Sequence, residues 1–238
     1  MARKTATAKV EVRVHELKMR TIQLPIRGFD GPLVVNNWSA KAVREMLEKQ
    51  ITTKKRTKGP DPKDPEQDFR NSLYTYQQNG KTCYGFPATA FKKAMVRAVK
   101  LLKDTKQLDL DMVMAKQILF VIPDAQEDRE VTVDLGDGKK FTQRIATDLV
   151  RINGTPKQRM DLVRLQGQKA DVRFRGEFVT WTATLRIQYN PEVLDESTVV
   201  NLLYRAGIGV GIGEGRPEKG DQGWGRFEIV QSKKGKVA

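Results

Sequence analysis

The chain has 238 residues, with 43 Lys and Arg against 29 Asp and Glu, and a net charge of +14. Such an excess favours a polyanionic partner. A hydrophobic content of 39% and a charged content of 30% suit one large domain, or a domain with an insertion, around a buried core. No apolar run reaches the ~18 residues of a membrane span, and residues 1–9 lack the apolar stretch of a secretory signal. Cys83 is the only cysteine, which excludes an internal disulfide and makes a reducing cytoplasm the expected location. Without export, the glycosylation patterns at Asn37-Trp38-Ser39 and Asn153-Gly154-Thr155 are chance.

From Lys9 to Ile26, Val10, Val12 and Val14 alternate with Glu11 and Arg13, and Ile22, Leu24 and Ile26 alternate later. This predicts one long strand, or two joined by a bulge between Val14 and Leu17. Arg27 to Asn37 contains Gly28, Gly31 and Pro32 and reads as a loop. Ser39 is a suitable N-cap for a helix running to about Thr52, with Val43, Met46, Leu47 and Ile51 on one face and Lys41, Arg44 and Lys49 on a solvated one. Residues 53–68 hold Lys54, Lys55, Arg56 and Lys58, then Pro60, Pro62 and Pro65, which predicts a mobile charged loop. It either closes over a bound strand or is a tolerated insertion. Phe69–Gln77 and Lys81–Phe86 flank Asn79-Gly80, a strong hairpin signal. Gly80-Lys81-Thr82 is not a phosphate loop, because Thr75 stands where the first glycine is needed.

Thr89 is read as the cap of a helix reaching about Lys103. Phe91, Ala94, Met95, Ala98 and Leu102 form its core face, and Lys93, Arg97 and Lys100 an outward basic row. Thr89, Lys92 and Lys93 at its N-terminus make a candidate anion site. Gln117–Ile122 reads as a buried strand ended by Pro123, and Glu130–Ile145 as a hairpin turning at Asp137-Gly138. Asp148–Gly167 reads as irregular and basic, with Arg151, Lys157, Arg159 and Arg164. Residues 124–168 together read as an inserted, thumb-like segment. Glu177–Tyr189 is the longest clean strand pattern, with Phe178, Thr180, Thr182 and Thr184 on one side and Val179, Trp181, Ala183, Leu185 and Ile187 on the other. Asp195 or Ser197 caps a helix carrying Val199, Val200, Leu202 and Leu203. Trp224–Val230 is a final strand, and residues 231–238, with Lys233, Lys234 and Lys236, are expected to be a disordered basic tail.

Between that last helix and strand, Gly207, Gly209, Gly211, Gly213 and Gly215 alternate with Ile208, Val210, Ile212 and Glu214. Arg216, Lys219, Trp224 and Arg226 follow. Glycine permits positive φ, and successive free N–H groups form a concave nest for phosphate. The run has no GxGxxG spacing, and Asp221 stands where a phosphate loop needs lysine after Gly215–Gly220. A tight packing turn between helix and strand is the alternative, and Trp224 either stacks a base or packs inside.

A helix, a glycine-rich loop with basic residues, and the strand Gly223-Trp-Gly-Arg-Phe-Glu-Ile-Val230 resemble the C-terminal signature of the RAMP superfamily, the repeat-associated RNA-binding proteins of CRISPR systems. A second stretch, Tyr84-Gly-Phe-Pro-Ala-Thr-Ala-Phe-Lys-Lys-Ala-Met95, resembles that family's isoleucine-proline-glycine-serine-serine turn and the helix after it. Phe86-Pro87-Ala88-Thr89 stands in for the turn, without its glycine and with one hydroxyl fewer. The strand near Lys9, the helix at Thr89 and the strand at Gln117 pair with the strand–helix–strand at the C-terminal end as the two halves of a ferredoxin-like unit. The expected fold is therefore α+β: one RAMP-like domain over residues 1–238, with a ferredoxin-like (RRM-like) core, an inserted hairpin or thumb and a C-terminal glycine-rich loop.

The resemblance implies binding of single-stranded nucleic acid, RNA or DNA with RNA favoured, along the sugar-phosphate backbone. It also implies side-by-side assembly as a homo-oligomer or filament, with a thumb reaching the neighbouring subunit. The residues assigned to binding are Thr89, Lys92, Lys93, Gly207, Gly209, Gly211, Gly213, Arg216, Lys219, Trp224 and Arg226. Salt-dependent, weakly sequence-dependent affinity follows from backbone contacts. No cofactor and no catalysis are expected. One alternative is a RAMP-like endoribonuclease using His15, the only histidine, as general base or acid. Another is a phage-type protein that docks into a CRISPR complex. One His and one Cys exclude a His/Cys zinc site, and turn or cap roles account for Asp109 and Asp111 or Asp134 and Asp137 as well as metal binding would.

Overall fold

The computed structural model describes residues 16–51, 63–103, 110–136, 139–164 and 170–230. The described chain is a mixed α+β fold of three antiparallel sheets and several helices. In order it forms β1 (Arg20–Gly28), β2 (Leu33–Val35), α1 (Ala40–Ile51), α2 (Pro65–Ser72), β3 (Tyr74–Gln78), β4 (Lys81–Pro87), α3 (Ala88–Lys103), α4 (Met112–Ile118) and β5 (Leu119–Ile122). Then come β6 (Ala125–Gly136), β7 (Lys139–Ile152), β8 (Lys157–Arg164), β9 (Ala170–Phe178), β10 (Thr182–Tyr189), α5 (Glu196–Arg205), a π-helical turn over Ala206–Val210, and β11 (Phe227–Ile229).

The principal sheet has the order β11-β1-β10-β5. Its inward positions are set by the alternation of β1 and β10, where Ile22 faces Ile187, Leu24 faces Leu185 and Ile26 faces Ala183. α3 and α5 cover this face with Phe91, Met95 and Val99 and with Val199, Leu202 and Leu203, all buried. Thus β1, α3, β5, β10, α5 and β11 follow each other as strand, helix, strand, strand, helix, strand. An edge-to-face chain of rings crosses the core: Tyr74–Phe86 at 5.6 Å, Phe86–Phe91 at 6.2 Å, Phe91–Phe227 at 6.1 Å and Phe227–Trp181 at 6.3 Å. Each such pair adds about 0.5–1.5 kcal/mol beyond the area it buries. The chain ties the β3–β4 hairpin to α3 and to the last strand.

Two smaller sheets, ordered β2-β9-β8 and β3-β4-β7-β6, are built from segments inserted between these elements. Asn79 (φ 52°) and Gly80 (φ 73°) make the turn of β3–β4, as the sequence predicts. β7 pairs with β4 from Tyr84↔Ile152 to Pro87↔Leu149, while its other end pairs only with β6.

Several expectations are corrected. Of Lys9–Ile26, residues 9–15 lie outside the described residues, and the strand starts at Arg20. Arg27–Asn37 is not all loop: Leu33, Val34 and Val35 are fully buried and pair with β9 as a three-residue strand. In the stretch expected as a charged loop over 53–68, residues 52–62 lie outside the described residues and Pro65 opens α2, whose first turn the Asp64 side chain caps by accepting from Gln67 N at 3.0 Å. Gln117 and Ile118 end α4, which Asp111 caps, and only then does the strand begin.

Asp148–Gly167 is not irregular, since β7 and β8 occupy most of it. Glu177–Tyr189 is two strands in different sheets, with a corner at Val179–Trp181 where Gly28 N donates to Trp181 O at 2.9 Å. The corner reverses the phase, so Phe178 is buried and Val179 is 53% exposed. Beyond it, Trp181, Ala183, Leu185 and Ile187 face inward as expected. Residues 231–238 lie outside the described residues.

Candidate nucleic-acid interface

β4 runs into α3 without a linker, for Pro87 ends the strand and Ala88 begins the helix. Thr89 is therefore not the cap but part of the first turn, exposed, with no acidic residue beside it. Lys93 and Arg97 stand one and two turns further along the same outward face, both exposed. The opposite wall is the glycine run. α5 passes into the π-helical turn, which Gly211 closes by donating to Ala206 O at 2.8 Å with φ 70°.

Thr89, Lys93 and Arg97 from α3 and Gly211, Gly213, Arg216 and Lys219 from the loop line one open cleft of about 730 Å³. Trp38 just before α1, Met46 on α1, and Arg129 and Thr147 of β6 and β7 complete it. Its acidic side chains are Glu214 and Glu218. Glu218 pairs with Arg97 and with Arg216, whose Nε lies 3.1 Å from Oε2. Arg216 Nη1 also donates to Gly213 O at 2.9 Å. Burial, and after it the Arg97 charge, pulls the Arg216 guanidinium below its ordinary pKa, and it stays cationic at any physiological pH. Lys93 and Lys219 are exposed.

A second groove of about 900 Å³ shares Thr89, Lys93, Arg97 and Glu218 with the first. Val96, Leu101 and Met112 line it together with Lys92, Lys100 and Lys116. Lys92 sits 4.1 Å from the Phe120 ring centroid, and burial lowers its pKa. Gly209 lies on this side. Thr89 and Lys93 thus stand where the two basic grooves meet.

The remaining sequence candidates are placed elsewhere. Gly207 is buried, and a Cβ there would lie 2.0 Å from Phe227 O, so its smallness serves the packing of the helix end on β11. Trp224 and Arg226 line neither groove. The Trp224 ring stacks 4.1 Å from the Arg159 guanidinium and packs on Gly215. Arg226 pairs with Asp30 at 2.9 Å and donates to Ile208 O at 3.2 Å. Three of the loop's N–H groups are already bonded: Gly211, Ile212 and Glu214 donate to Ala206, Gly225 and Val34 carbonyls at 2.8, 2.9 and 3.0 Å.

Sequence reasoning missed Trp38 and Arg129. Trp38 had a readable signal, a large aromatic between Asn37 and Ser39 just outside a helix cap, with no apolar period to absorb it. His15 lies outside the described residues. Asp111 caps α4, accepting from Met114 N at 2.7 Å. Among the described residues no group of three or more His, Cys, Asp or Glu could hold a metal ion, and no helix is long and apolar enough to cross a membrane.

No protein-family model and no curated protein matches the chain. Among solved structures the chain has a distant, partial likeness to the crystal structure of Cmr6 from Pyrococcus furiosus, at 10% identity and a TM-score of 0.39, covering 90% of this chain and 100% of that one.

Proposed function

We propose that this protein is a non-enzymatic, cytoplasmic, RAMP-type binder of single-stranded nucleic acid, with RNA its favoured ligand, that holds the sugar-phosphate backbone between α3 and the glycine loop. The observation that carries this reading is convergence. Two stretches far apart in sequence, at Thr89–Arg97 and at Gly211–Lys219, form the walls of one cleft with Arg129 at its back and cations in excess of acids. A helix start with no acidic residue in its first turn suits phosphate. The finer fold reading, a ferredoxin-like core, is supported by the strand–helix–strand–strand–helix–strand order and the sheet order β11-β1-β10-β5, which is fourth-first-third-second in that unit. Copies bind side by side along one strand, as the resemblance to RAMP proteins suggests.

The test is fluorescence anisotropy with labelled oligo-uridine and oligo-thymidine over a series of salt concentrations, with light scattering to follow assembly. The expected result is binding that weakens steeply with salt, and particles that grow with strand length. A monomer that ignores both strands overturns the proposal in favour of a protein-docking role. Cleavage of the labelled RNA, abolished by His15→Ala, turns it to an endoribonuclease.

A further inference from the structure

Trp38 is 62% exposed on the rim of the cleft, in the turn between β2 and α1. The other two tryptophans are committed: Trp181 is 3% exposed and packs on Phe227, and Trp224 lies against Arg159. An indole left in water forgoes the large apolar burial this side chain offers.

The turn that presents Trp38 is firmly anchored. Arg129 Nη1 donates to Trp38 O at 2.8 Å, and its Nη2 to Asn37 Oδ1 at 3.0 Å. Asn37 Nδ2 donates to Glu127 Oε2 at 2.9 Å and to Leu73 O at 3.2 Å. Asn37 and Glu127 are 6% and 4% exposed. Ser39 Oγ accepts from Ala42 N at 3.0 Å, fixing the other end. A buried carboxylate is costly unless bonded, so this set of contacts commits polar groups to one conformation of the turn. The result is a flat π surface held on a rigid perch, on the same cleft as Lys93, Lys219 and Arg129.

We propose that Trp38 is the stacking platform of the cleft and takes one unpaired nucleobase of a strand whose phosphates lie against Lys93 and Lys219. The inference rests on the nucleic-acid reading of the cleft. An aromatic face beside cations suits single strands, because every base has a π face and a duplex keeps its bases stacked inside.

The test uses the full chain, two readouts and two ligands. Anisotropy of labelled oligo-uridine reports binding as a whole, and intrinsic tryptophan emission reports Trp38. The expected results are quenching in the wild type, loss of that quenching in Trp38→Phe with affinity within a few-fold, and about tenfold weaker binding by Trp38→Ala. An abasic strand of equal length should bind the wild type about as weakly as Trp38→Ala binds the normal strand. Wild-type binding with unchanged affinity in Trp38→Ala, or an abasic strand bound as tightly as the normal one, overturns the role of Trp38 and leaves the cleft reading standing. If no strand binds the wild type, both fall.

Discussion

Arg97 on α3 and Arg216 in the glycine loop are held by one carboxylate, that of Glu218, which is itself largely buried. The two walls of the cleft are thereby pinned together, and two of its cations are partly neutralised. Glu218→Gln keeps the shape and removes the charge. It should tighten nucleic-acid binding a few-fold and steepen the fall of log K with log salt by about 0.7 if one further phosphate is engaged. The Arg97 contact, over half exposed, should contribute no more than about 1 kcal/mol of the stability lost, and the more buried Arg216 contact the larger share. Anisotropy over a salt series and urea unfolding read the two effects separately.

Lys93→Glu and Lys219→Glu should each weaken binding to every sequence alike and shallow the salt slope, by about 0.7 per lost phosphate contact. The side chains sit on opposite walls, so the double variant should show the sum. A sequence-dependent loss in either variant would mean that the lysine reads bases.

The glycines of the loop should divide sharply when replaced by alanine. At Gly225 (φ 65°) a Cβ would lie 1.7 Å from Ile212 O, and at Gly207 it would lie 2.0 Å from Phe227 O. Both replacements force backbone to move and should cost about 3 kcal/mol or more. Gly223 (φ 68°) has nothing within 4 Å of the added Cβ, so only the left-handed conformation is penalised, at about 1 kcal/mol. Urea midpoints of the three variants check the order.

Tyr74 should ionise only at strongly alkaline pH. Burial, and then the Glu127 charge, pushes its pKa up from 10.0 to about 12. The neutral phenol is the form the fold prefers, so this contribution is complete below pH 10 and is lost as pH rises toward about 12. The loss amounts to at most about 1.4 kcal/mol per pH unit in that window. Tyr74→Phe should remove that slope, measured by urea unfolding at alkaline pH, while ultraviolet titration should lose the step near pH 12 that the wild type shows.

What could be read from the sequence was whatever kept a single period. The face of α3, the Asn79-Gly80 hairpin, the inward row Trp181–Ile187 and the Asp195 cap all follow local rules that tertiary contacts do not overturn. β8 escaped because its inward positions are charged: Arg159 and Asp161 meet Arg175 and Glu177 in ion pairs at 2.6 to 2.8 Å, while the apolar Met160 and Leu162 that alternate with them face outward. β2 escaped because three residues are too few to show a period. In the cleft, Thr89, Lys93, Arg216 and Lys219 were legible as residue types, but their meeting is a matter of topology. Close packing on Phe227 asks for glycine at Gly207 as a ligand would, and the Asp30 carboxylate asks for a cation at Arg226 as a phosphate would, so residue type alone does not tell the two apart.

The direct passage from β4 into α3 has a mechanical consequence. With nothing between Pro87 and Ala88, the helix cannot tilt unless the Pro87↔Leu149 register with β7 gives way. One jaw of the cleft, from the β6–β7 arm through α3, is thus a single beam. The glycine-loop wall is tied to that beam through Glu218, so any adjustment to guests of different girth falls to the α1 side, where Met46 stands 38% exposed.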